Sequence, residues 1–152
     1  MGQTLNVNQF DVLPVPGLIE FNTRIITCQV DATQATALKN GQFVKFYASN
    51  TGTYPKVVAA GVSDQANGMV VYNVKDTTYV AGDNVDIAFF GGLIIWVQAT
   101  AVAITPGTQV ESDATGLLVQ AYTSNKVRGI ALDYFPASGM GRIIQLGVLQ
   151  SA

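Results

Sequence analysis

Ten carboxylates and no histidine set the chemical range of this 152-residue chain. Two acids facing one another across a cleft would be the machinery of glycoside hydrolysis, so their placement is the first thing to test. Asp83 and Asp86 lie around a turn, and Glu111 and Asp113 alternate on a polar strand end. Asp31, Asp64 and Asp76 stand beside turn residues, where a carboxylate caps backbone N–H groups. No pair sits in a cleft-forming context, and structural capping is the stronger reading. A Ser-His-Asp or Cys-His arrangement is impossible without histidine, and neither Ser-x-x-Lys nor Gly-x-Ser-x-Gly occurs. The inventory holds no catalytic candidate, and an enzyme is not expected.

Metal and cofactor chemistry fare no better. The commonest metal ligand is missing, and Cys28 is the sole cysteine. Its setting, RIITCQV, is that of a small buried hydrophobe, and it cannot form a disulfide within the chain. Gly82-Asp83-Asn84-Val85-Asp86 offers several oxygens in five residues but lacks the length and acidic density of a calcium loop. A turn with self-satisfied Asx side chains is the expectation there. The glycines of Ser138-Gly139-Met140-Gly141-Arg142 lead into another strand rather than a helix, so they form a hairpin loop and no phosphate cradle. No cofactor and no metal is expected. Trp96, between Ile94, Ile95 and Val97, is read as a core or interface anchor rather than a sugar-stacking platform.

Composition points to association. Charged residues are 12 % of the chain, about half the usual quarter, while hydrophobic residues reach 49 %. Thr, Gln, Asn, Ser and Gly must therefore make the exterior, and such a surface is weakly repelled by copies of itself. A mean hydropathy of +0.30 adds more apolar area than a lone domain of this size usually conceals. Eight basic residues are spread thinly, which speaks against nucleic acid as a partner. No Lys or Arg precedes Arg24, so the charged start of a secretory signal is missing, and Asn6 stands where myristoylation requires Ser or Thr.

The most apolar run is Val85 to Val97, VDIAFFGGLIIWV. It is too short for a membrane span, carries Asp86 and breaks at Gly91-Gly92, so no membrane partner is expected. It reads as two strands joined by a tight Gly-Gly turn, with both faces of the hairpin needing cover.

These residues must be carried by strands. Residues 1–17, MGQTLNVNQFDVLPVPG, read as an extended N-terminal arm, because each proline of the V-P-V-P step forces extended backbone before it. Residues 18–152 read as a single β-domain, punctuated by Gly, Pro, Asn and Asp every eight to twelve residues or so between β-branched and aromatic runs. The class is all-β, a sandwich or barrel. Only Asp31 to Lys39, DATQATALK, could begin a helix, with Asp31 as its N-cap. Gly41-Gln-Phe-Val44, Gly82-Asp-Asn-Val85 and Gly107-Thr-Gln-Val110 read as one turn used three times, and Ala60-Gly61-Val62 and Arg128-Gly129-Ile130-Ala131 as a related pair. Their unequal spacing excludes a solenoid or propeller. The candidate contact residues are Leu5, Phe10, Val12, Leu13 and Val15 on the arm, with Phe89, Phe90 and Trp96 in the apolar run.

From Gly61 to Leu132 the order of turns and strands resembles the capsid decoration, or cement, proteins of tailed bacteriophages. The matching features are Gly61-Val62, Ala81-Gly82-Asp83 with Val85, Gly92 to Val97, Ala101 to Ile104, Pro106 to Val110 and Gly129-Ile130-Ala131. The resemblance covers about half the chain and is a pattern of turns rather than a catalytic signature. It implies a small β-barrel or jelly-roll-like domain made in the host cytoplasm. Such a protein clusters with itself, as a homotrimer or else a dimer, on the outer capsid surface of the virion, bridging subunits of the major capsid protein. The alternative is a carbohydrate- or receptor-binding β-domain of a phage fibre or tail. That reading requires two or more of Tyr47, Tyr54, Tyr72, Tyr79, Tyr122 and Tyr134 exposed in one groove.

Overall fold

The computed structural model describes Pro16 and residues 25–47, 54–89 and 91–145. The arm residues Leu5, Phe10, Val12, Leu13 and Val15, and Phe90, lie outside the described residues. Twelve strands and no helix are found among them: β1 (Ile25–Val30), β2 (Leu38–Lys39), β3 (Phe43–Phe46), β4 (Lys56–Ala59), β5 (Gly68–Val70), β6 (Thr78–Tyr79), β7 (Asn84–Phe89), β8 (Ile94–Ala99), β9 (Gln109–Ser112), β10 (Leu118–Ala121), β11 (Val127–Ala131) and β12 (Met140–Gln145). Asp31 does cap its neighbours, accepting from Thr33 N at 2.8 Å and Thr33 Oγ1 at 2.7 Å, but the cap closes a turn rather than opening a helix. The fold is all-β and built on barrels, and the barrel occurs twice. One ring closes in the order β1-β4-β3-β5-β7, the other in the order β10-β8-β12-β11-β9.

The two rings share one strand topology. In each, the first strand runs parallel to the third and antiparallel to the fifth, and the second strand lies between the third and the fourth. The equivalence extends to residue register. Ile26 opposite Ile87 answers to Ile95 opposite Ile143, Thr27 opposite Asp86 to Trp96 opposite Arg142, and Val44 opposite Gly68 to Val110 opposite Gly129. Even the short Leu38–Tyr79 pairing has its counterpart in the isolated bridge between Ile104 and Phe135. Alternation places Cys28 and Val30 inside the first ring, and Ile95, Val97 and Ala99, all buried, inside the second.

Glycines mark the correspondence where backbone geometry demands them. Gly41 and Gly107 have φ of 79° and 83° in equivalent turns, donating their N–H groups to Val70 O and Ala131 O at 3.0 and 2.8 Å. Gly82, at φ 93°, belongs to a different turn, and its counterpart is Ser138 at φ 58°. The threefold echo is thus one turn repeated twice and another once. Nor do Gly61 and Gly129 correspond: Gly129 answers to Gly68. A Cβ on Gly68 would lie 2.6 Å from Ala88 O, and one on Gly129 would lie 2.5 Å from Ile144 O.

The expected hairpin over Val85–Val97 does not form. β7 pairs with β1 and β5, whereas β8 pairs with β10 and β12, so Gly91-Gly92 links one barrel to the next. The inner side of β7 is covered within the first ring, and that of β8 by the core of the second. The run is apolar because it spans the end of one barrel wall and the start of another.

A cluster of Cys28, Val30, Leu38, Val44, Val57, Val70, Tyr79, Val85 and Ile87 fills the first barrel. The second barrel's core, among it Ile95, Val97, Val110 and Phe135, continues into Phe43, Ala60, Ala66 and Met69 of the first. Arg128, 1 % exposed, fastens this junction. It donates to Gly61 O and Asp64 O, each at 2.7 Å, and to Ser112 Oγ at 3.1 Å, with its guanidinium 5.5 Å from the centre of the Phe43 ring. Burial pulls Arg128 down to about 10, against the opposing pull of Asp64 and Glu111, which leaves it charged at neutral pH. Phe43 N donates to Gly116 O at 2.9 Å and Gln42 Nε2 to Thr115 O at 2.7 Å across the same seam.

Candidate interaction surface

Most of the described carboxylates are engaged in structure. Glu111 is fully buried and accepts from Gln120 Nε2, Thr123 N, Thr123 Oγ1, Ser124 N, Asn125 N and Asn125 Nδ2 at 2.8 to 3.3 Å. Burial opposes its charge, but these donors outweigh it and hold the carboxyl well below its ordinary value. Asp113 takes Leu117 N and Leu118 N, both at 3.1 Å, Asp83 takes Val80 N at 2.8 Å, and Asp64 takes Gly61 N at 2.9 Å and Lys45 Nζ at 2.7 Å. Among the described residues no three His, Cys, Asp or Glu side chains converge in a way that could hold a metal ion. Cys28 is buried, and desolvation, with Asp86 adding to it, pushes its thiol up to about 11. No described helix is long and apolar enough to cross a membrane.

What remains is surface, and the internal duplication lets one barrel serve as a control for the other. On the outer face of β8 and β12 stand the cross-strand pairs Ile94–Ile144, Trp96–Arg142 and Gln98–Met140, all half-buried. Arg142 lies with its guanidinium 5.7 Å from the Trp96 ring centre and grips Asp133 by Nε to Oδ2 at 2.8 Å and Nη2 to Oδ1 at 2.9 Å. Those bonds draw the Asp133 carboxyl below its usual range. Leu132, next to Asp133, is 39 % exposed and Tyr134 57 %. The equivalent face of the first barrel carries Ile25–Ala88, Thr27–Asp86 and Gln29–Asn84 and is mainly polar. Ile94, Trp96, Met140 and Ile144 together thus make the outer wall of the second barrel the more apolar of the two equivalent faces.

Of the residues singled out from the sequence, Trp96 belongs to this face. Phe89 is half-buried at the end of β7 in the other barrel, its ring 5.2 Å from that of Phe46, which is 38 % exposed. The structure thus places Phe89 and Trp96 on separate barrels. Ile94, Met140, Arg142 and Ile144 were legible only as the alternate positions of I-I-W and M-G-R-I-I, once each strand is known to bury its other side.

At the corresponding place on the first barrel there is an open groove of about 510 Å³, lined by residues that include Thr27, Tyr72, Asn73, Asp76, Asn84 and Asp86. Tyr72 is half-buried there, while Tyr79 is only 6 % exposed and donates to Asp76 O at 3.0 Å. Two exposed tyrosines are therefore not found in this groove. No protein-family model matches the chain, and no curated protein matches it.

Proposed function

We propose that this chain is a virion structural protein, a capsid decoration protein that associates with copies of itself and binds the outer lattice of a major capsid protein. The observation that carries the reading is the outward apolar row Ile94, Trp96, Met140 and Ile144 on β8 and β12, with Arg142 set by Asp133 against the Trp96 ring. Support comes also from the order of turns and strands between Gly61 and Leu132 and from a surface poor in charge. Weak contacts repeated over a shell gain avidity that no single contact has.

Light scattering of the purified chain, followed by co-sedimentation with empty phage heads, tests the proposal. An oligomer that pellets with heads is expected, and Trp96→Asp with Ile144→Asp should release it in at least one of the two assays while leaving the far-ultraviolet spectrum unchanged. A monomer at high concentration that ignores every shell overturns it.

A further inference from the structure

We propose that the groove on the first barrel is a saccharide-binding site, a function separate from attachment through the second barrel. The starting point is the difference between two equivalent places. In the second barrel Trp96 and Arg142 occupy the position, with Asp133 locking the arginine, and the wall is filled. In the first barrel the same register holds Thr27 and Asp86, and the connection after the fourth strand is longer: residues 71–78 lead to Tyr79 where the second barrel has only 132–134 before Phe135. The shorter side chains and the longer loop together open about 510 Å³, within the usual range for small-ligand sites.

The lining specifies the ligand class. Asp86 Oδ1 accepts from Thr27 Oγ1 at 2.7 Å, and Oδ2 is left to accept from a ligand hydroxyl. Asn84 projects from the same face two residues earlier, exposed. Asp76 and Lys75 are exposed, form no ion pair with each other or with other described residues, and add an acceptor and a donor. Asn73 Oδ1 holds the loop by accepting from Lys75 N at 2.9 Å, and Asn40 Nδ2 ties Asn73 O at 2.9 Å, so the loop is braced before any ligand arrives. Tyr72 supplies a ring and Val71 and Val74 apolar edges. A ligand matching this must donate to carboxylates, accept from an amine and lay a C–H face on an aromatic ring. A sugar does all three, and with the single half-buried ring of Tyr72 in place of the two exposed tyrosines required of a fibre or tail glycan reader, the groove suits a short saccharide held chiefly through its hydroxyls. An inorganic anion would meet two carboxylates, and a divalent cation would find too few converging oxygens.

The test uses the whole chain and backbone amide resonances, titrated separately with maltotriose, cellotriose, chitotriose, calcium chloride and an oligolysine peptide. At least one trisaccharide should move the resonances of Thr27, residues 72–76, Asn84 and Asp86, saturating with a Kd on the order of 1 mM. Asp86→Ala and Tyr72→Ala should each weaken that binding about tenfold or more, roughly 1.4 kcal/mol. Thr27→Trp with Asp86→Arg rebuilds in the first barrel the pair that the second barrel accommodates, so it should fold and leave the groove silent. No groove response to any of the three sugars, or a response only to calcium or to oligolysine, overturns the proposal. Because the outer face of the second barrel is untouched in these variants, head binding should persist in all of them, which separates failure of this inference from failure of the decoration reading.

Discussion

Ser138 sits at φ 58°, where Gly82 does the same work in the other barrel at 93°. A non-glycine residue in this region carries a strain of about 1–2 kcal/mol, partly offset by the entropy that glycine loses on folding, about 0.5–1 kcal/mol. Both backbone groups of Ser138 are bonded, N to Thr100 O at 2.7 Å and O from Gln98 Nε2 at 2.9 Å, and glycine would keep both. Ser138→Gly should therefore stabilise the protein by about 0.5 kcal/mol, read as a rise of about 1–2 °C in Tm. Glu111 gives a pH dependence of fixed sign. Its folded-state pKa lies below the ordinary 4.5, so the stability it contributes is present above that value and is lost as pH falls through the folded pKa. Glu111→Gln keeps one acceptor but turns an NH₂ toward donors, which should cost about 2 kcal/mol at pH 7. Denaturant midpoints measured from pH 7 to pH 3 should converge for the two proteins as acid removes the advantage of the carboxylate.

At the level of strands, alternation was legible and partnership was not. The positions that fill β8 follow from I-I-W-V-Q-A read with period two, and the turns at Gly41 and Gly107 follow from glycine followed three residues later by Val. What misled was continuity. An apolar run broken by Gly-Gly reads as a hairpin because local rules govern tight turns, whereas pairing of β7 with β1 and of β8 with β12 is decided by residues far away in sequence. The duplication was faint for a related reason: I-I-x-x-Q in β1 and β8 survives, while most equivalent positions retain only burial. Gly129 gives a sharp test of strand contact. Alanine there would force a Cβ against backbone at 2.5 Å, and about 1–3 kcal/mol should be lost in thermal unfolding. Trp96→Ala should cost less than the 3–5 kcal/mol of an enclosed aromatic, about 1–2 kcal/mol, because its ring is half-buried, and assembly should suffer more than folding.

For the molecule as a whole, the junction matters more than either ring. Arg128 satisfies Gly61 O, Asp64 O and Ser112 Oγ at once, and methionine in its place would fill space but leave those acceptors unmet. Arg128→Met should lower stability by about 3 kcal/mol and split a single calorimetric transition into two, one for each barrel. One unchanged transition would contradict this account of the seam. The same seam sets an order of events during synthesis. A nascent chain that has just delivered Gly92 from the ribosome has every strand of the first ring, yet Phe43, Ala60, Ala66 and Met69 still await the neighbours that cover them. Until translation supplies Ile95 through Ile143, that greasy end is bare, so the half-made product is the species that chaperones must shield.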